Sequence, residues 1–145
     1  MSKVITSDSE LAGLLSHTHR VAIVGISDKT ERPSNGVATW LLSNSHLDLY
    51  FVNPALTSVF GEPCYPSLAD IPVSIDMVDV FRKVEDIPGV VNDAIAIGAK
   101  SIWLQLGLAD GASAARAIAS GLDVVMDLCL KVEYQRLASV ISAPE

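Results

Sequence analysis

The chain has 145 residues, of which 50% are hydrophobic and 19% are charged, and its formal net charge is −7. This length predicts one globular domain over residues 1–145 with a sizeable core. The acidic balance argues against nucleic-acid binding, and no apolar run reaches the roughly 18 residues that a membrane span needs. Two cysteines without a CxxC pair, and a start without a signal-like apolar segment, predict a cytoplasmic protein with reduced thiols.

The order of apolar runs and helical patterns predicts an α/β protein. A lead-in helix is predicted over 7–16, where Ser7 and Glu10 form a capping-box pattern. Strands are predicted at 20–25, 47–52, 75–81, 101–105 and 122–126, with a very short edge strand near Cys64 and a helical turn over 67–70. Further helices are predicted at 35–43, 86–97, 112–120 and 129–139. This alternation indicates a single Rossmann-like, doubly wound parallel sheet with helices on both faces.

The stretch from Val21 to Ser34 organises this predicted fold. An apolar run ends at Gly25, a polar loop follows, then Pro33 and Ser34, and a helical pattern begins after them. The loop therefore lies at the carboxyl end of a strand, where open α/β sheets bind ligands, and the free N–H groups of the next helix favour a phosphate. Ser27, Lys29 and Arg32 add a hydroxyl and two positive charges, so the sequence predicts a site for a nucleotide-type cofactor.

The loop does not match the common nucleotide-binding fingerprints. A dinucleotide site would show G-x-G-x-x-G and an acid at the end of the second strand, whereas this loop has Gly25 alone and the second strand ends in Asn53. The P-loop pattern G-x-x-x-x-G-K-[ST] is absent as well. Lys29 and Arg32 suggest a ligand with more phosphate than NAD, although an NAD(P)-binding oxidoreductase-type domain stays an alternative.

Several segments, taken together and in order, make the chain resemble a known family. They are Val24–Ser27 with Glu31–Ser34, Val52–Pro54, Gly61–Glu62 with Tyr65–Leu68, Val78–Arg82, Ala99–Gly107, and Val125–Asp127 with Cys129–Lys131. The chain resembles the small stand-alone CoA-binding proteins, whose fold is shared with the CoA-binding N-terminal domain of the succinyl-CoA synthetase alpha subunit. The resemblance covers roughly residues 18–137. It departs from the family at Leu128, where an arginine is usual, and at Tyr134, where a histidine is usual.

The resemblance implies that the chain binds CoA or an acyl-CoA through the adenosine 3′-phosphate diphosphate. The residues that it implies for this site are Gly25, Ser27, Lys29, Arg32, Pro33, Ser34, Asn53, Pro54, Phe81, Arg82, Gln105, Leu106 and Gly107. The loop residues would meet the phosphates, Asn53 and Pro54 the adenosine side, and the residues from Phe81 onward the diphosphate and pantetheine. A partner protein or a second copy of the chain is also compatible with this family, as in an accessory subunit of an acyl-CoA synthetase.

The sequence identifies no catalytic or metal-ligating set. His17, His19 and His46 lie in predicted loops without a third ligand at metal spacing, which favours solvated histidines over ligands. Asp79 and Asp127 could form an acid–base pair, but the favoured interpretation is that Asp127 caps the last helix and Asp79 bonds a neighbouring loop.

Two further residues leave a functional and a packing interpretation open. Trp40 could stack on a base, but its place in an apolar stripe favours core packing. Cys129 precedes a predicted helix, a position typical of reactive thiols that could exchange with the CoA thiol, whereas a buried, inert cysteine is more usual. Since the synthetases need a further domain with a phosphorylated histidine, the expectation is CoA binding without turnover.

Overall fold

The computed structural model describes residues 2–144. The strands, in chain order, are β1 (Arg20–Val24), β2 (Asp48–Val52), β3 (Ser58–Val59), β4 (Glu62–Tyr65), β5 (Met77–Val80), β6 (Ser101–Leu104) and β7 (Asp123–Val125). The helices are α1 (Asp8–His17), α2 (Pro33–Asn44), α3 (Ile87–Ala96), α4 (Gly111–Ala119) and α5 (Leu130–Leu137). Short 3₁₀ turns occupy Leu68–Asp70, Val84–Asp86 and Ala138–Val140.

The strands form one seven-stranded sheet in the order β3-β4-β2-β1-β5-β6-β7. All pairings are parallel except that between β3 and β4, which is antiparallel. The chain moves outward from β1 to β2 and β4, then returns to lay β5 on the other side of β1. The strand order therefore reverses between β1 and β5, and this is the point where open α/β sheets form a ligand crevice.

Helices cover both faces of the sheet, as the sequence predicts. One apolar core joins α1, α2 and α5 to side chains such as Ile23, Met77 and Trp103. The other core joins α3 and α4 to side chains such as Val78 and Ile102 on the opposite face. The predicted Rossmann-like, doubly wound α/β fold is confirmed, with the correction that the sheet is mostly rather than wholly parallel.

Two local predictions differ from the observed elements. The edge strand near Cys64 belongs to a hairpin with β3, whose two residues are too short to give a sequence signal. Helix α2 begins at Pro33 instead of residue 35, because proline at the first helical position already has the helical φ angle.

The capping box of α1 is confirmed: the Ser7 hydroxyl accepts from the Glu10 N–H, and the Glu10 carboxylate accepts from the Ser7 N–H. Among the described residues, no helix is long and apolar enough to cross a membrane.

Candidate functional site

A cavity of about 560 Å³ opens at the carboxyl edge of the sheet. Its floor follows the ends of β1, β5 and β6, and its walls include the N-terminal ends of α2 and α5. It therefore occupies the crevice where the strand order reverses, in agreement with the position that the sequence predicts for the ligand.

The structure brings most of the predicted site residues together in this cavity. Those that line it are Gly25, Ser27, Lys29, Arg32, Pro33, Ser34, Asn53, Phe81, Arg82, Gln105 and Leu106. Pro54 and Gly107 are exposed and lie outside the lining. The lining also includes Ile26, Val37, Leu108 and Cys129. Val37 was missed as a site residue, although it lies one helical turn after Ser34 and so shares its face of α2.

Gly25 allows the first strand to pass closely beside the fifth. Its φ angle is +89°, a conformation that side chains rarely adopt, and an added Cβ would collide with the carbonyl oxygen of Phe81. The sheet pattern continues on both sides of it, since Gly25 N–H donates to Val52 O at 2.9 Å and Phe81 N–H to Val24 O at 2.8 Å. A glycine at this position keeps the cavity floor open and the two strand ends adjacent.

Short hydrogen bonds fix the polar loop between β1 and α2. The Ser27 N–H donates to the Ser34 hydroxyl at 3.0 Å, and the Lys29 N–H donates to the Ser27 hydroxyl at 3.1 Å. The Asn35 side chain donates to the Ser27 carbonyl at 2.9 Å. Both serine hydroxyls act as acceptors in these bonds, so each keeps its own proton free to donate to a ligand. The loop is thus preorganised by its own side chains.

The same loop carries positive charge without partners. None of the ion pairs among residues 2–144 involves Lys29 or Arg32, and both side chains are exposed at the cavity. Arg82 differs, because its guanidinium lies 3.2 Å from the Asp86 carboxylate. Helix α2 begins beside them with no side-chain cap and no acidic residue in its first turn. This end of the cavity is therefore suited to an anion.

Asn53 connects the second strand to the loop. Its side-chain nitrogen donates to the Ile26 carbonyl at 2.7 Å, and its side-chain oxygen accepts from the Ala55 N–H at 2.8 Å. The amide therefore holds the loop and the turn after β2, while an edge of the residue still lines the cavity. A carboxylate here, as in dinucleotide sites, would lack the donor that bonds to Ile26.

The opposite end of the cavity is more apolar. The cavity lining at this end, which follows β6, includes Leu106, with 71% of its surface exposed, Leu108, and Cys129, the residue that precedes α5. Gln105 is 6% exposed, and its side-chain oxygen accepts from the Leu130 N–H at 3.2 Å. That bond occupies the amide oxygen, so the side-chain nitrogen of Gln105 is the polar atom left without a hydrogen-bond partner among the described residues. The cavity thus has a cationic end and an apolar end.

Asp127 does not cap the last helix, so that expectation is wrong. Its φ angle is +59°, its carboxylate accepts from the Gly107 N–H at 2.6 Å, and its own N–H donates to Leu108 O at 3.0 Å. Aspartate tolerates this left-handed conformation better than most residues. Asp127 therefore ties the loop after β7 to the loop after β6, and both loops border the cavity.

Asp79 does not bond a neighbouring loop, which is a second correction. It lies in β5 between Ile23 and Trp103, is fully buried, and neither carboxylate oxygen has a hydrogen-bond partner among the described residues. Burial raises the pKa of this carboxyl well above its ordinary value. Alternation along the strand places Asp79 on the same face as Phe81, one step below the cavity floor. It does not line the cavity, and it does not pair with Asp127.

The remaining candidates have structural contacts. The His46 ring bonds the Tyr134 hydroxyl at 2.7 Å and the Thr18 carbonyl at 2.8 Å, so it is a bridging residue rather than a solvated one. Trp40 packs edge-on against Tyr134 with ring centres 6.0 Å apart, which confirms the packing interpretation. Leu128 packs on the core, and its carbonyl accepts from the Trp103 indole N–H at 2.8 Å.

Within residues 2–144, no group of three histidine, cysteine, aspartate or glutamate residues could hold a metal ion.

The fold and the cavity define a Rossmann-like α/β protein with an open crevice where the strand order reverses. The family model for the CoA-binding domain matches residues 19–135, and the chain belongs to this family. It is 33% identical to the protein YneT of Bacillus subtilis, over 88% of this chain and 94% of that protein. A solved structure of a protein from Pyrococcus horikoshii OT3 superposes with a TM-score of 0.88 at 36% identity, covering 92% of this chain and 93% of that one.

A larger relative shares only part of its length with this chain. An ADP-forming acetate–CoA ligase of Archaeoglobus fulgidus is 30% identical over 55% of this chain, which amounts to 12% of the ligase. The expected resemblance to stand-alone CoA-binding proteins and to a domain of acyl-CoA synthetases is therefore confirmed at the level of the family.

Proposed function

We propose that this protein binds CoA or an acyl-CoA in the cavity at the carboxyl edge of the sheet and does not turn it over. The observation that carries the proposal is the convergence of two unpaired cations, Lys29 and Arg32, with the uncapped start of α2 at one end of the cavity. CoA carries a diphosphate and a 3′-phosphate at one end and a long, weakly polar pantetheine arm at the other. That division matches the cationic and apolar ends of the cavity.

The phosphates would be held by the loop between β1 and α2. The Ser27 and Ser34 hydroxyls have free protons, and Lys29 and Arg32 supply charge-assisted hydrogen bonds. Asn53, with Pro54 beside it, would border the adenosine. Phe81 and Arg82 would flank the diphosphate or the start of the arm, and Gln105, Leu106 and Gly107 would border the rest of it.

The lining of the cavity supports binding without catalysis. Among the described residues, no carboxylate and no histidine lines it. These are the groups that general acid–base catalysis uses most often, placed within about 3 Å of the reacting atom. Asp79 and Asp127 do not provide it, because Asp79 is buried below the floor and Asp127 is bonded to Gly107.

Two alternative functions need features beyond a CoA-binding cavity. An NAD(P)-binding oxidoreductase would need a partner for the ribose hydroxyls at the end of β2, where Asn53 is already bonded to Ile26 and Ala55. An accessory subunit of an acyl-CoA synthetase is favoured by the similarity to the acetate–CoA ligase. That second role includes CoA binding and adds a protein partner.

A thermal-shift series with CoA, acetyl-CoA, NAD, NADP and ATP at equal concentration tests the proposal. A ligand at one hundred times its Kd stabilises the native state by about 2.7 kcal/mol, so CoA and acetyl-CoA should raise the Tm clearly. NAD should have a much smaller effect because it lacks the 3′-phosphate. An equal or larger shift with NAD would contradict the CoA assignment, and thioester hydrolysis or acyl-CoA synthesis by the purified chain would contradict the non-catalytic role.

A further inference from the structure

The two cysteines of the chain lie in different surroundings, and this difference points to a chemical role for one of them. Cys64 is buried in β4, where its thiol lies 3.7 Å from the Asn53 carbonyl, and burial raises the pKa of that thiol. Cys129 is partly exposed and lines the ligand cavity. Only Cys129 can therefore meet a bound molecule without unfolding of the core.

A second observation shows that the surroundings of Cys129 are arranged to receive a ligand. Gln105 is nine-tenths buried, lines the cavity, and is held by its oxygen to Leu130, the residue after Cys129. None of the hydrogen bonds among residues 2–144 uses the side-chain nitrogen of Gln105. This nitrogen therefore keeps its donors available to an acceptor that enters the cavity in place of water. The amide carbonyls of a pantetheine arm are acceptors of this kind.

The polarity of the cavity sets the direction in which CoA would lie. The phosphates go to the end with Lys29 and Arg32, so the arm runs past Phe81 toward Gln105, Leu106 and Cys129. The thiol is at the far end of the arm and therefore arrives at the apolar end. This orientation rests on the proposed function.

We propose that Cys129 is a site of thiol–disulfide exchange with a CoA disulfide bound in this cavity. The sulfur of Cys129 attacks one sulfur of the disulfide, the bond between the two CoA sulfurs breaks, and a bond forms between Cys129 Sγ and one CoA. The second CoA leaves as a thiol with the proton that Cys129 gives up. The bound disulfide is the only oxidant that the step requires, and the product holds CoA covalently.

Intact-protein mass spectrometry under non-reducing conditions tests this inference. The protein is incubated with CoA disulfide, with pantethine, which keeps the arm but lacks the nucleotide, and with oxidised glutathione. The wild type and Cys64→Ala should gain the mass of one CoA less one hydrogen, and Cys129→Ser should not. Binding first makes the exchange effectively intramolecular, so CoA disulfide should react about tenfold or more faster than the other two. Arg32→Ala should lose that preference.

Three outcomes would overturn the inference: no adduct with CoA disulfide, an adduct that persists in Cys129→Ser, or equal rates with CoA disulfide and oxidised glutathione. Calorimetry with reduced CoA on Cys129→Ser separates these failures from failure of the proposed function. If Cys129→Ser binds reduced CoA and the wild type forms no adduct, the exchange is wrong and CoA binding stands. If neither protein binds reduced CoA, the proposed function is wrong, and the exchange inference that rests on it is overturned too.

Discussion

The amino and carboxyl edges of the sheet both carry cavities and charged side chains, but the charges are used differently. At the amino edge, a cavity of about 440 Å³ is lined by Lys3, Glu10, Asp76, Lys100 and Asp123. There Lys3 pairs with Glu10, and Lys100 lies 3.7 Å from Asp76. At the carboxyl edge, Lys29 and Arg32 have no such partner among the described residues. Charges paired within the fold stabilise it, whereas unpaired charges beside a helix start are available to a ligand.

The largest expected effect comes from Gly25, at the carboxyl edge. Gly25→Ala places a Cβ in a left-handed backbone and against the Phe81 carbonyl, and the two effects together should cost about 2 kcal/mol or more. Gly13→Ala is the matched control, because Gly13 lies inside α1 with nothing within 4 Å of the added atom. That control should gain about 0.5–1 kcal/mol. Urea unfolding of both variants measures the contrast, and equal stability would show that the close approach at Gly25 is misplaced.

A pH-dependent effect is expected from Asp79, below the carboxyl-edge cavity. Burial raises the folded-state pKa of this carboxyl above its ordinary value of 3.8, so the native state holds the proton more tightly than the unfolded state. The stability contributed by the neutral acid is therefore lost as the pH rises from about 4 through the folded-state pKa. Asp79→Asn removes this dependence, so its stability relative to wild type should rise between pH 5 and pH 8.

Met77→Leu in the same strand is the control for Asp79→Asn. Met77 is buried, carries no charge, and is replaced by a residue of similar volume. Its effect on the free energy of unfolding should be the same at both pH values. If the free energies of unfolding of wild type and Asp79→Asn change with pH in parallel, the Asp79 carboxyl has a hydrogen-bond partner or reaches solvent. That result would contradict this account.

The smallest effect is expected at the amino edge, from the partly exposed Glu10. The Lys3 ammonium, followed by the Ser7 and Thr6 N–H groups, lowers the pKa of this carboxyl to about 2. Its contribution is present above the ordinary value of 4.5 and is lost as the pH falls toward 2. Glu10→Gln keeps the capping geometry and should lower the Tm slightly at pH 7, with less difference at pH 3 or in high salt. A Tm difference that grows at pH 3 would contradict this account.

The sequence predicts the parts of the fold that depend on local pattern. Apolar runs locate the main strands, and Ser7 and Pro33 indicate helix starts that the structure places within a few residues. The cavity is also predictable, because the ends of parallel strands must meet at one edge. The loop residues from Gly25 to Ser34 follow directly from that rule.

Contacts between distant segments are not predictable in the same way. The bond from Gly107 to Asp127 joins residues 20 positions apart, and nothing local to Asp127 indicates it. The lack of partners at Asp79 depends on which side chains of β1 and β6 face it. The bridge from His46 to Tyr134 spans 88 positions and places a residue expected in solvent against the core. In each case, packing of whole elements decides the contact.

The most direct test of the central claim is calorimetry of CoA and dephospho-CoA binding to wild type, Arg32→Ala and Lys100→Ala. Both variants remove one exposed cation, Arg32 at the carboxyl edge and Lys100 at the amino edge. A hydrogen bond to a charged group contributes about 1.5–3 kcal/mol, so Arg32→Ala should weaken CoA binding by roughly ten- to a hundredfold. It should weaken dephospho-CoA less, and Lys100→Ala should bind both as wild type does. Wild-type affinity in Arg32→Ala, or equal losses in both variants, would contradict the claim that the unpaired charges at the carboxyl edge hold the phosphates of CoA.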